Sequence, residues 1–215
     1  MVQLLMERWT QRLVNSQFRR AIAKCTALAI ISVSGFGSSS ITAQTESQSH
    51  RASKARPSIS VEMADLLTGL IAGGRAQPDL NAVDTYAAAF HWRKTPPEMN
   101  KLLNAKVGYA GRVANQTVFL GSDGTNDIIS VSARDGFQAS EAVAELQRVY
   151  RLKKQDSEES DGQRFDTYIL VDGRTEVGVL SLTYGIAEPI RGGGTIAFMA
   201  MERARQEIAS ERGKP

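Results

Sequence analysis

The sequence predicts an α+β fold: a two-layer sandwich with helices on one face of a mostly antiparallel sheet of about five strands. Three observations predict it. Apolar residues recur at helical spacing between positions 59 and 103. Further along, the spacing shifts towards two on either side of Asp123-Gly124 and Asp172-Gly173, both hairpin signals. Turns that tight imply antiparallel neighbours, because parallel strands need long crossovers.

Each element has its own warrant. Residues 59–71 carry Val61, Met63, Leu66, Leu67, Leu70 and Ile71 near helical spacing and stop at Gly73-Gly74. Asp79 is placed to cap a second helix with Leu80, Val83, Ala87 and Phe90 on one face. Thr95-Pro-Pro-Glu98 opens a third. Thr95 is expected to accept from a first-turn amide, and Glu98 to reach back to the Thr95 amide. Pro96 stands where a missing N–H costs nothing, and Met99, Leu102 and Leu103 would face the core. Strands are predicted over 117–121 and 127–133. A helix is predicted over 139–152, with Val143, Leu146, Val149 and Tyr150 as its apolar stripe. Lys153 and Lys154 would then favour its C-terminal dipole. Residues 156–162 read as a charged surface loop, and 164–171 and 175–184 as strands around Asp172-Gly173. Gly192-Gly-Gly194 leads to a fifth strand over 195–200, and 201–211 to a charged helical tail. No internal repeat is visible in the sequence.

The first 43 residues have the order of an export leader. Arg8, Arg12, Arg19, Arg20 and Lys24 precede an apolar run over 25–36, and a small-residue stretch follows to Ala43. The run is shorter than the ~18–20 residues a spanning helix needs, and Ser32, Ser34 and Gly35 interrupt it. Cleavage is expected between Ala43 and Gln44. Arg19-Arg20-Ala-Ile-Ala-Lys24 also resembles a twin-arginine signal, so the export route stays open. Residues 44–58 have no aliphatic side chain larger than alanine and read as a flexible linker. Residues 59–215 suit a single domain with one core.

The leader also changes the charge argument. It holds five of the chain's 26 Lys and Arg and one of its 23 Asp and Glu, leaving 21 and 22, a net charge of −1. The basicity therefore belongs to the leader, and nucleic acid is not an expected partner. The only Cys, Cys25, lies there too, so the remainder has no disulfide or thiol chemistry.

Candidate sites are few. His91, at the end of the second helix, is a candidate catalytic base with Asp84 two turns back. The plainer reading is a helix-terminal His that meets the last carbonyls. Trp92, Arg93 and Lys94 form a candidate ligand site, an aromatic platform flanked by cations, for an anionic or glycan ligand. The competing reading has Trp92 in the core and both cations solvated. Asp123, Asn126 and Asp127 lack the alternation of a calcium loop, and no metal site or cofactor is expected. Gly192-Gly-Gly194 is followed by strand-like sequence rather than by the helix of a phosphate cradle.

Residues 127–198 resemble small exported bacterial α+β proteins of unknown function. The shared pattern is a strand ending near Arg134-Asp135, a helix, and a hairpin ending Leu180-Ser-Leu-Thr-Tyr184. The resemblance implies no activity. The expected function is a non-enzymatic binding or interaction domain of the cell envelope, periplasmic or secreted, whose partner is an envelope protein or a small ligand. One alternative is an envelope hydrolase using His91. Another is a subunit held at the inner membrane by an uncleaved leader.

Overall fold

The computed structural model describes residues 57–71, 80–102, 105–125, 127–188 and 190–212, so the expected leader, its Ala43/Gln44 cleavage point and most of the linker lie outside the described residues. Asp79, Leu103 and Asn126 lie outside them as well. Five helices and eight strands are described: α1 (Ile59–Leu70), α2 (Leu80–Ala89), β1 (Arg93–Lys94), α3 (Pro97–Leu102), β2 (Val107–Val113), β3 (Gln116–Ser122), β4 (Ile128–Ala133), α4 (Ala139–Leu146), β5 (Arg151–Ser160), β6 (Gln163–Asp172), β7 (Thr175–Gly185), β8 (Gly194–Ala200) and α5 (Met201–Arg212).

All eight strands form one antiparallel sheet in the order β1-β2-β3-β4-β8-β7-β6-β5. It consists of two four-strand meanders, β1–β4 and β5–β8, joined where β4 pairs with β8. The expected five strands are thus corrected to eight. β2 was hidden because Gly108 and Gly111 interrupt the alternation of Val107-Gly-Tyr-Ala-Gly-Arg-Val113. Its hairpin to β3 turns on Ala114 and Asn115, with φ of 48° and 65°, and an alanine there carries no turn signal. β5, Arg-Leu-Lys-Lys-Gln-Asp-Ser-Glu-Glu-Ser, has the sequence of a helix end and a loop because it is an edge strand with no buried residue. The helix predicted over 139–152 accordingly stops at Leu146, and Val149 is exposed.

Helices on one face only is the second correction. Along β7 and β8 neighbouring side chains point to opposite faces. Leu180, Leu182, Ile196 and Phe198 join the main core with Met63, Leu67 and Leu70 of α1 and Ala142 and Leu146 of α4. Val179, Ala197 and Met199 point the other way and pack with Ala204 of α5. The fold therefore places α1, α2 and α4 on a first face, and α5 with α3 on parts of the second. Each fully buried aliphatic side chain of the main core contributes about 1.5–3 kcal/mol.

α1 is capped at its start and tied to α4. Ser58 caps it, its Oγ accepting from the Val61 amide at 3.4 Å, and Ser60 Oγ accepts from the Gln138 amide at 2.7 Å, tying α1 to the start of α4. The predicted capping box of α3 is absent as drawn: the Thr95 hydroxyl donates to Asn100 Oδ1, and the Thr95 amide donates to the Gly108 carbonyl at 2.9 Å. Thr95 and Asn100 lie so close over Gly108 that a Cβ there would collide with both. The second face between α3 and α5 carries Ser130, Ser132, Ser181, Thr183, Thr167 and Thr195. Ser132 Oγ and Thr195 Oγ1 are 2.9 Å apart, while the buried Thr183 hydroxyl has no partner.

Candidate ligand-binding corner

The sequence-predicted site residues lie around the end of α2 and the strand that follows it. Val83 and Ala87 bury the predicted face of α2. Phe90, one turn further along that face, is 61% exposed. The helix ends there, and the chain reverses through His91, whose φ of 54° is left-handed, before dropping into β1. The ring of Phe90 lies 4.4 Å from that of Tyr86, tilted by 31°. Tyr86 in turn meets Trp92 edge-on at 5.6 Å. These offset and T-shaped arrangements suit the quadrupoles of aromatic rings.

Trp92 is not the exposed platform. It is 8% exposed and covers Gly111 of β2 so closely that a Cβ on Gly111 would meet the indole ring at 2.1 Å. Glycine is required at that position by the approach of the ring. Trp92 thus takes the core position of the competing reading, while Phe90, expected on the buried face of α2, is the exposed ring.

Arg93 and Lys94 are both exposed but do not act together. As neighbours on a strand they face opposite sides of the sheet. Lys94, opposite Tyr109, shares the α2 side, with Nζ 5.9 Å from the Tyr109 ring centroid. Arg93, opposite Ala110, faces the second side. Asp84 is engaged by Tyr109, whose hydroxyl donates to its Oδ1. Burial first, then the hydrogen bond and charge of Asp84, push the Tyr109 hydroxyl up to about 12. His91 is exposed past the helix end, its amide donating to the Ala88 carbonyl at 3.2 Å. The end of α2 thus holds one exposed ring with a second behind it, and the Lys94 ammonium and the Asp84 carboxylate both meet Tyr109 on the same face of the sheet.

A second polar cluster, absent from the sequence expectations, lies on the first face where β5, β6 and β7 run side by side. Asp166 is buried at 4% exposure. Its Oδ1 is 2.8 Å from Lys154 Nζ and 3.6 Å from Arg164 Nε, and its Oδ2 accepts from the Tyr184 hydroxyl at 2.9 Å. Arg164 also donates to Ser157 Oγ at 3.1 Å and pairs with Glu159 at 3.3 Å. Burial alone would raise the Asp166 pKa. Hydrogen bonds from Lys154, Ser157 and Tyr184, with the Lys154 charge, outweigh burial and hold it below the usual carboxylate range. Tyr184 is pushed up to about 12, by burial first and then by its bond to Asp166. The one sequence signal was a carboxylate at an inward position of Arg164-Phe-Asp-Thr-Tyr-Ile-Leu170. Its partners lie 12 and 18 residues away, and strand register alone assembles them. Every charge of this cluster is matched by an opposite one, so it suits holding the meander together.

The glycines at 192–194 are likewise committed within the fold. The Gly192 carbonyl accepts from the Phe137 amide at 2.8 Å, and Gly194 lies beneath the Phe137 ring. The Gly193 amide donates to the Ile190 carbonyl at 3.2 Å. Comparison of the chain with profiles of known protein families, with curated proteins and with solved structures found no match.

Proposed function

We propose that the chain is an exported, non-enzymatic domain of the cell envelope that binds a carbohydrate ring at the Tyr86–Phe90 corner. The single observation that carries the ligand class is Phe90, exposed on one side and backed by Tyr86 on the other. An exposed aromatic face suits a sugar ring, whose C–H face is apolar and whose rim carries hydroxyls. Lys94 and Asp84 supply a donor and an acceptor for those hydroxyls. The envelope setting rests on the basic, apolar and small segments of residues 1–43. The absence of a sequence motif for nucleophilic or metal catalysis favours binding over turnover.

The test is titration of the protein with envelope-derived oligosaccharides, followed by tyrosine and backbone amide shifts in NMR. Shifts confined to residues 84–94, and binding weakened about tenfold or more by Phe90→Ala, are expected. Binding that survives Phe90→Ala, or shifts centred elsewhere, would refute the assignment. Phe90 is exposed, so that variant is expected to keep its stability within about 0.5–1 kcal/mol. The compartment has its own test. Intact mass of the protein from periplasmic and membrane fractions is expected to give a soluble species beginning at Gln44. A full-length species confined to membranes would make the leader an anchor instead.

A further inference from the structure

α1 and α4 pack side by side on the first face, and the seam between them is polar, while the faces they turn to the sheet are apolar. Its polar groups follow helical spacing on both helices. Ser58, Glu62 and Asp65 stand at i, i+4 and i+7 along one, and Glu141, Glu145 and Arg148 along the other. The two rows face each other. The Ser58 hydroxyl donates to Glu141, and Asp65 is in hydrogen-bond contact with Glu145. The first contact joins a hydroxyl to a carboxylate and is complete as it stands. The second joins two carboxylates, and a carboxylate donates only when it carries a proton.

Full ionisation of this pair is costly for three reasons. Two negative charges in contact repel. The Glu145 side chain is 15% exposed, which leaves little water to solvate its charge. Glu145 also stands in the last turn of α4, where the carbonyl end of the helix dipole repels a carboxylate and no basic residue occupies the turn. One group opposes them: Arg148, just past the helix end, donates from Nη1 to both Glu145 oxygens, at 2.9 and 3.0 Å. Its side chain is 73% exposed, so water weakens that attraction. On balance the Asp65 carboxyl is raised above its ordinary value, because burial first, then the charge and hydrogen bond of Glu145, outweigh the Arg148 charge. Among the described residues no other charge bears on Asp65. Glu62 is near Tyr86 of α2, and Tyr150, beyond the end of α4, is near Asp172. Beneath the two helices the core holds Val131, Leu182, Ile196 and Phe198, which do not titrate.

We infer that Asp65 and Glu145 are a proton-operated clasp between α1 and α4. In acid a shared proton bridges the two carboxylates and ties the helices together. At neutral pH the bridge is lost, and among the described residues Arg148 alone offsets the repulsion. The sign is opposite to that of Asp166. Asp65 is raised, so its contribution is complete below the unfolded value of about 3.9 and is lost as pH rises through the folded value. α4 therefore opens locally more readily at neutral pH than in acid. The clasp belongs to α1 and α4 and the ligand corner to the end of α2, so either reading can fail without the other.

Two measurements on the full chain test this. In NMR the Asp65 side-chain carboxyl should titrate above the free value of about 3.9. Glu145→Gln should bring it back towards that value, and Arg148→Met should move it further up. Hydrogen exchange, corrected for the intrinsic effect of pH, should show the amides of α4 severalfold better protected at about pH 4 than at about pH 7. Asp65→Asn should bring that ratio close to one, because an uncharged amide donates to Glu145 at both. An Asp65 carboxyl that titrates at or below the free value overturns the inference. So does a raised one that Glu145→Gln leaves in place, since burial alone would then account for it, and so does a protection ratio that Asp65→Asn leaves unchanged. The titration of the unmodified chain needs no substitution and decides the matter even if a variant folds poorly.

Discussion

The two meanders share a topology and are held together differently. β2, β3 and β4 have seven, seven and six residues, and glycines in β2 let other groups descend onto the sheet. Trp92 lies on Gly111, and Thr95 and Asn100 lie on Gly108. β5, β6 and β7 have ten, ten and eleven residues and are tied across the first face by Lys154, Asp166, Tyr184 and Arg164. Lids over glycine occur in the second half too, where Phe198 stands over Gly178 and Phe137 over Gly194, and what that half adds is strand length and a charge network. The lids are sensitive to volume, and the network is sensitive to pH.

The largest expected effect is on the lid. Trp92→Ala should cost about 3–5 kcal/mol, the ordinary range for emptying a buried aromatic site. Gly111→Ala should cost about 1–3 kcal/mol, because its Cβ would stand 2.1 Å from the indole. In the double variant the collision is gone, so the Gly111→Ala cost should largely disappear. Denaturant unfolding of the three variants checks this, and simple additivity would show that the two residues are not coupled.

A smaller effect depends on pH, and on the acid side it belongs to the other half. Asp166 is held below its unfolded value, so its contribution is complete above the unfolded pKa of about 3.9 and is lost as pH falls through the lower folded value. Tyr184, and in the first meander Tyr109, are raised to about 12. Their contributions are complete below the unfolded value of about 10 and are lost as pH rises through the folded one. Asp166→Asn should flatten the acid limb of a stability–pH profile, and Tyr184→Phe the alkaline limb. Trp92→Ala should lower the whole curve and leave its shape unchanged. A reshaped curve for Trp92→Ala would break the contrast between the halves.

The smallest effect belongs to Lys153 and Glu176, paired at 3.0 Å and well exposed. Lys153→Met should change monomer stability by less than about 1 kcal/mol, measured in high salt, where exposed pairs are screened. A larger loss would place more of the second meander's stability in its surface charges than the exposure of the pair allows.

Legibility followed the same division. The strands beside Asp123-Gly124 and Asp172-Gly173 were readable because a tight turn and alternating apolar residues sit together in sequence. β2 and β5 were not, since one replaces alternation with glycine and the other buries nothing. At the candidate corner, position was legible and role was not. Periodicity placed Phe90 on the inward face of α2, and the face is right, but the helix ends at the rim of the sheet and leaves the ring in solvent. A core position for Trp92 is legible in the sequence, but nothing nearby reveals that Gly111, nineteen residues on, makes room for it.

By itself the sequence determined what short-range chemistry can encode: the helical span of α1, the hairpins at the Asp-Gly turns, the segregation of charge in the first 43 residues, and the antiparallel sense of the sheet. The tertiary structure decided the number of strands, the join of β4 to β8, the helices on both faces, the exposure of Phe90, and the assembly of Asp166 with Lys154 and Tyr184. The reason is range. Periodicity and turn signals report which side of an element seeks burial, whereas register and long-distance packing decide what stands on that side when the chain is folded.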